Sequence, residues 1–139
     1  MVREEAAKNG RVPVALALAV AKVESDFKDA AFSPVGARGV MQIMPKTAMD
    51  EFGVPANRLL APRLNIKLGI AYLERLYDLY GHSWTLALSH YNGGSLQMVG
   101  GVFVPHDFNR QYVSDVLTWA KRYQGNGGDV ALAHDIGNG

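Results

Sequence analysis

The chain has 139 residues, with 14 Lys and Arg against 13 Asp and Glu, no cysteine, and 48% hydrophobic residues. This length fits one domain with a substantial core, and the missing cysteines exclude disulfides, thiolate catalysis and cysteine-bound metals. A net charge of +1 gives no electrostatic reason to expect binding to nucleic acid. The longest apolar run, 12–21, is too short to span a membrane and is not followed by a cleavage site, so we expect neither insertion nor a signal peptide.

The first half of the chain is predicted to be helical. A helix is expected over 12–27, and the first ten residues either extend it or form a solvated lead-in. Proline and two glycines within 32–39 break regular structure. A short helix follows over 45–52, and a longer one with an apolar stripe over 64–80, each stopped by the glycine that comes next.

The second half continues this pattern. Ser83 is a plausible N-cap for a helix over 84–91, which Asn-Gly-Gly closes. The segment 99–105 is predicted to be a loop or a short hairpin. Asp107 could then cap a last helix over 108–123.

These elements define an all-α fold, with a small β element near 39–43 or 99–105. Residues 1–124 are expected to form a single domain. Residues 125–139 contain five glycines and few large apolar side chains, so we expect a flexible C-terminal tail.

Glu24 is the first candidate for a chemical role. On an ideal helix it lies at the edge of the apolar stripe that runs from Leu16 to Phe27. A carboxyl group against apolar surface loses hydration, which raises its pKa and keeps it protonated near neutral pH, as a general acid requires. By position alone, Glu24 could equally be a solvated residue at a helix end.

Several segments, in this order, resemble the lytic transglycosylases of the soluble-transglycosylase, goose-type lysozyme-like family. The resemblance covers about residues 13–123. The segments are Glu24-Ser25-Asp26-Phe27, Gly36 to Pro45, Asn65 to Leu73, Tyr91-Asn92-Gly93-Gly94 and the pair Tyr112-Val113.

The resemblance implies a lysozyme-like fold and an enzyme that cuts peptidoglycan without a cofactor or metal. It implies that Glu24 is the only catalytic acid and base. The residues that it places at the substrate are Ser25, Met41, Gln42, Tyr91, Asn92 and Tyr112. The chain departs from the family in having His90 and Gly93 where alanines flank the Tyr-Asn pair, and Asn109-Arg110-Gln111 where many members have Glu-Thr.

Some of these residues have an ordinary structural alternative. Tyr91 and Tyr112 could be core aromatics with a bonded hydroxyl. Methionines often fill gaps in a core, which is the interpretation that we favour for Met44 but not for Met41. The four histidines have no metal-ligand spacing.

The presence of a single catalytic acid restricts the possible reaction mechanisms. Most glycosidases use two carboxyl groups, but on an ideal helix Asp26 points away from Glu24, while Asp50 and Glu51 remain open as second acids. One acid suffices if the N-acetyl group of the sugar stabilises the reacting carbon and its C6 hydroxyl attacks it, which gives a 1,6-anhydromuramyl product. The alternatives are a hydrolytic goose-type lysozyme and a non-catalytic glycan-binding domain of a machine that spans the cell wall.

Such a substrate lies outside the cytoplasmic membrane, so we expect a periplasmic or exported protein. The expected partners are peptidoglycan glycan strands and, as the family suggests, a secretion, conjugation or flagellar machine. We expect a monomer that binds no nucleic acid.

Overall fold

The computed structural model describes residues 1–125 and is mainly helical. The predicted tail therefore lies, from residue 126 onward, outside the described residues. Six α-helices follow one another along the chain. They are α1 (Val2–Asn9), α2 (Val14–Ser25), α3 (Pro45–Phe52), α4 (Pro62–Leu79), α5 (Trp84–Gly93) and α6 (Arg110–Gln124).

The N-terminal residues form a helix of their own, α1, rather than an extension of α2 or a lead-in. Gly10 ends α1 with a left-handed φ of 75°, which glycine adopts at little cost. Pro13 then precedes the first residue of α2. Helix α1 packs on α2 and α4 and buries Val2 and Ala6.

The central helix, α2, is buried on all sides over residues 15–21. It ends at Ser25, two residues before the predicted end, because Asp26 and Phe27 have left-handed φ angles of 53° and 63°. The prediction that Phe27 continues the core stripe is therefore wrong, and its side chain is 39% exposed. The chain leaves the helix directly after Glu24 and Ser25.

The prediction for α3 is confirmed at both ends, and Gly53 caps its C-terminus. Helices α4 and α5 were predicted within two residues of their observed ends. The Ser83 cap is also confirmed, because its side chain accepts a hydrogen bond of 3.2 Å from the main-chain nitrogen of Leu86.

A short hairpin joins α5 to α6. Its strands, β1 (Gln97–Val99) and β2 (Val102–Val104), pair in antiparallel register. The predicted cap at Asp107 is wrong: residues 107–109 form a 3₁₀ turn, α6 begins at Arg110, and Asp107 accepts a hydrogen bond from the Arg110 side chain instead. Arg38 forms two isolated antiparallel bridges, one to Phe32 and one to Ile43.

The core forms where α2 packs against α6 and α1, and where α4 packs against α5. Within residues 1–125 no helix is long and apolar enough to cross a membrane. This packing brings together the end of α2, the start of α6, the end of α5 and the 39–42 loop.

Candidate active site

Glu24 lies in the last turn of α2 and is partly buried. The phenol of Tyr112, in the first turn of α6, donates a hydrogen bond of 2.9 Å to its Oε2 atom. Burial raises the pKa of Glu24 from 4.5 to about 7, although the Tyr112 hydrogen bond lowers it in part. A carboxyl group with this pKa can both donate and accept a proton near neutral pH.

Tyr91, from α5, approaches the same carboxyl group. Burial raises the pKa of Tyr91 and of Tyr112 well above the ordinary value, and the charge of Glu24 raises both further. Both phenols therefore remain protonated at neutral pH and can serve as hydrogen-bond donors. The rings of Tyr91 and Tyr72 lie 5.6 Å apart, which extends the aromatic surface from α5 to α4.

The acids considered as second carboxylates have partners of their own. Asp26 is exposed, as predicted from the helix angle, and Asp50 and Glu51 are exposed as well. Their basic partners are, in the same order, Lys22, Lys46 and Arg75. Among residues 1–125, Tyr112 is the one side chain that hydrogen-bonds Glu24.

The loop at 39–42 is tied to the residues beside Glu24. The main chains of Arg38 and Ile43 exchange two hydrogen bonds of 3.0 Å at the base of this loop. The Ser25 hydroxyl donates a hydrogen bond of 2.7 Å to the carbonyl oxygen of Val40. The Tyr91 hydroxyl donates one of 2.6 Å to the carbonyl oxygen of Met41. Ser25 is buried, so the structure gives it a positioning contact on the loop.

The Met41 side chain is fully buried. A Cβ atom on Gly69 of α4 would lie only 2.5 Å from the Met41 Cβ, so the side chain fills the space that this glycine leaves. A side chain with no exposed surface cannot touch a glycan, which corrects the prediction of a substrate contact through Met41. Its contribution here is the main-chain carbonyl that receives the Tyr91 hydroxyl.

Gln42 is half-buried and has a left-handed φ of 50°. Its amide nitrogen donates hydrogen bonds to the carbonyl oxygens of Ala31, at 3.2 Å, and Gly39, at 3.0 Å. Within residues 1–125 nothing donates to the amide oxygen of Gln42, which therefore remains available as an acceptor.

Asn65 was quoted in the family resemblance but not predicted as a site residue. It is fully buried at the start of α4. Its Oδ1 accepts a hydrogen bond from the Met41 main-chain nitrogen, and its Nδ2 donates to the carbonyl oxygens of Arg38 and Leu59, each at 2.8 Å. A Cβ atom on Gly39 would lie 2.3 Å from this Nδ2. A polar residue within an apolar helical stretch was the available signal for it.

Asn92 is exposed, and its Oδ1 accepts a hydrogen bond from the buried Asn109.

A groove of about 400 Å³ lies between α3, α4 and the end of α5, and Tyr72, Glu51 and His90 contribute to its walls. Burial lowers the pKa of His90, whose Nδ1 lies 2.5 Å from the Tyr80 hydroxyl. His90 therefore borders a groove as a neutral side chain near pH 7.

A larger cavity, of about 550 Å³, lies beside β2 and α6, and Val113, Leu117 and Lys121 are among its lining residues. None of the predicted site residues lines it, so the larger of these two cavities is not the candidate active site. Residues 1–125 contain no cluster of three His, Asp or Glu side chains that could hold a metal ion.

The helical architecture, with a partly buried acid at the end of α2, belongs to the lysozyme-like class, as the match to solved lytic transglycosylase structures shows. The family described as "Transglycosylase SLT domain" matches residues 1–99. The chain belongs to this family.

Individual relatives agree with this assignment. The chain is 32% identical over 134 residues to the soluble lytic murein transglycosylase of Escherichia coli K12, covering 81% of this chain and 21% of that protein. The structure of an inactive mutant of the lytic transglycosylase Slt from Pseudomonas aeruginosa matches 96% of this chain and 25% of its own, at 30% identity and a TM-score of 0.75. A complex of the 70-kDa soluble lytic transglycosylase with bulgecin A matches 88% of this chain and 23% of its own, at 30% identity and a TM-score of 0.71. The chain thus spans about a fifth to a quarter of the length of these relatives.

Proposed function

We propose that this chain is a peptidoglycan lytic transglycosylase. It cuts the β-1,4 bond between N-acetylmuramic acid and N-acetylglucosamine and forms a 1,6-anhydromuramyl product. The observation that carries this proposal is the Glu24 carboxyl group, whose pKa of about 7 comes from burial and whose hydrogen-bond partner is a neutral phenol rather than a cation.

In the first step, protonated Glu24 gives its proton to the glycosidic oxygen, and the bond from the anomeric carbon to that oxygen breaks. The acetamido oxygen of the same sugar stabilises the positive charge that develops on the anomeric carbon. Tyr112 holds the carboxyl group in place through its 2.9 Å hydrogen bond. The Tyr112 phenol also stabilises the carboxylate that remains after proton transfer.

In the second step, the Glu24 carboxylate accepts the proton of the C6 hydroxyl, and the hydroxyl oxygen attacks the anomeric carbon. Because nucleophile and target belong to one sugar, this ring closure needs no activated water. The ion pairs that occupy Asp26, Asp50 and Glu51 support a reaction with one acid.

The side chains around Glu24 fit an acetamido sugar. The amide oxygen of Gln42 is a free acceptor, and Asn92 is exposed with a donor group available, so the pair matches the donor and acceptor of an acetamido group. Ser25 and Tyr91 act through the 39–42 loop that they anchor.

The substrate places the working protein outside the cytoplasmic membrane, so we propose a periplasmic or exported location. We further propose that the domain acts as a monomer on glycan strands, in the service of a wall-spanning secretion, conjugation or flagellar machine.

The test is mass spectrometry of the products from purified peptidoglycan. The wild type is expected to release muropeptides about 18 Da lighter than hydrolysis products, because no water is added. Glu24→Gln should release about 1000-fold less in the same time. Asp26→Asn is the matched control, since it makes the same chemical change at an exposed neighbour and should leave the product pattern unchanged.

Three other outcomes would contradict the proposed function. Products that contain added water would indicate the lysozyme reaction and a second acid. Glycan binding without products from the wild type would indicate a non-catalytic domain. Equal products from Glu24→Gln and the wild type would contradict the acid assignment.

A further inference from the structure

Asn109 connects the end of α5 to the start of α6. It is 2% exposed and immediately precedes α6. Its main-chain nitrogen donates a hydrogen bond of 3.1 Å to the His106 carbonyl, and its Nδ2 donates to Oδ1 of Asn92. Tyr112, the partner of Glu24, follows three residues later. One buried side chain therefore links the end of α5, which carries Tyr91 and Asn92, to the start of α6, which carries Tyr112.

This hydrogen bond also determines how Asn92 faces its surroundings. A side-chain amide has one end that accepts hydrogen bonds and one that donates them. Because Asn109 occupies the oxygen of Asn92, the NH2 group of this exposed residue is the end left for a ligand. We propose that Asn109 is a positioning residue that orients Asn92 so that it presents its NH2 group to a carbonyl or hydroxyl oxygen of the glycan. This inference rests on the proposed function.

Gly93 makes room for this arrangement. A Cβ atom there would lie 2.1 Å from Oδ1 and 2.9 Å from Cγ of Asn109. Gly93 is the last residue of α5 and has no left-handed φ, so an alanine is excluded by space and not by backbone conformation. Gly93 and Asn109 therefore form one steric unit, and Gly93 is also one of the positions where this chain departs from the family pattern.

Asn109→Asp reverses the direction of the hydrogen bond while keeping the shape of the side chain. The new carboxylate can only accept, so Asn92 must turn its NH2 group inward and present its oxygen to the glycan. We expect KM for soluble uncross-linked glycan strands to rise about 3- to 10-fold, with kcat changed less than about 2-fold, as for the loss of one hydrogen bond to a ligand. Because Asn109 is 2% exposed and its side chain makes no cap hydrogen bond, a carboxylate there is a buried charge and should lower Tm, so KM is compared at a temperature where the variant is folded.

Two further variants separate orientation from packing. Asn109→Ala leaves Asn92 free to rotate and should raise KM less than Asn109→Asp does. Asn57→Asp, at an exposed asparagine, adds the same charge elsewhere and should leave KM unchanged. A wild-type KM in a folded Asn109→Asp variant would overturn the proposal.

The steric unit gives an independent check. Gly93→Ala should lower Tm and raise KM, because the new methyl group displaces the Asn109 amide. Adding Asn109→Ala removes the clash with the amide but leaves Cδ2 of His106 2.9 Å from the new Cβ atom, so the double variant should recover part of the lost Tm but not KM. Recovery of both would show that Asn109 acts through packing alone and would overturn the proposal. If the wild type cuts no glycan, both the proposed function and this inference fail. If the wild type cuts glycan but the KM values of these variants do not change as stated, only this inference fails.

Discussion

A glutamate is shielded from water at the end of α2 and another on α1, but their pKa values shift in opposite directions. Glu5 in α1 is 5% exposed, yet its pKa is lowered: burial raises it, but the hydrogen bond from Arg63 and the charges of Lys8, Lys67 and Arg63 lower it more. Glu24 is less buried, yet its pKa is raised to about 7. The difference lies in the partners, because Glu5 faces cations and Glu24 faces the neutral phenol of Tyr112.

The comparison shows that burial alone does not produce a proton donor. A buried carboxylate that is paired with a cation stays ionised, and its lowered pKa contributes stability at pH values above that pKa. A carboxyl group that is buried with no cation beside it destabilises the fold when it ionises. Such groups are concentrated at functional sites. We therefore expect loss of Glu24 to impair activity and loss of Glu5 to impair stability.

The largest effect is expected on turnover. Glu24→Gln should lower kcat by about 1000-fold, within the range that general acid–base catalysis contributes. Glu5→Gln should leave the kcat of the folded enzyme within about 2-fold, because Glu5 lies in α1 and takes no part in the chemistry. Release of soluble fragments from peptidoglycan measures both. Comparable losses in the two variants would remove the distinction between the two acids.

The second effect is on stability. Because the pKa of Glu24 is raised on folding, the folded state binds this proton more tightly, and wild-type stability falls as pH rises from 4.5 through about 7. Glu24→Gln should therefore be more stable than the wild type at pH 8, by up to about 3 kcal/mol, and equally stable below pH 4.5.

For Glu5 the sign is reversed. Its lowered pKa stabilises the fold above its ordinary value of 4.5, and this contribution is lost as pH falls. Glu5→Gln should therefore be less stable than the wild type at pH 8. Urea unfolding of both variants at pH 4 and pH 8 tests the pair, and a pH-independent difference for Glu24→Gln would contradict the raised pKa.

A moderate effect is expected from Tyr112→Phe. The phenol stabilises the Glu24 carboxylate, so its loss raises the pKa of Glu24 further and moves the alkaline limb of the pH–rate profile to higher pH. Loss of this hydrogen bond to a charged group should also lower kcat/KM about 10-fold. Tyr123→Phe, on the same helix, is the control and should leave the profile in place.

The smallest effect concerns Lys22, two residues before Glu24. Its ammonium group pairs with the exposed Asp26 and does not contribute to the raised pKa of Glu24. Lys22→Ala removes this ion pair and the contact of the ammonium group with the Trp119 ring, so it should lower Tm only slightly and should leave the pH–rate profile unmoved. A shifted profile would show that Glu24 does have a nearby cation.

Much of the fold could be predicted because local signals are strong. Helices α3, α4 and α5 follow from apolar periodicity bounded by prolines and glycines such as Pro45, Gly53 and Gly81. The partial burial of Glu24 follows from its angle on α2. These features depend on residues within a few turns of one another.

The incorrect predictions involve contacts between distant segments. Phe27 leaves the core because the chain turns at Asp26, a residue type that tolerates a left-handed φ. Met41 is buried because Gly69, 28 residues later, leaves space for it. Asn65 and Asn109 were missed as site residues because their roles depend on partners that lie 6 to 27 and 17 residues away, respectively.

The sequence by itself determined the helical class, the order of the elements and the place of one acid at the edge of an apolar helix. Those properties follow from side-chain periodicity and from proline and glycine, which act locally. The tertiary structure decided the proton affinity of that acid. Only the packing of α6 against α2 brings the Tyr112 phenol to Glu24 and excludes the water that would hold its pKa at the ordinary value.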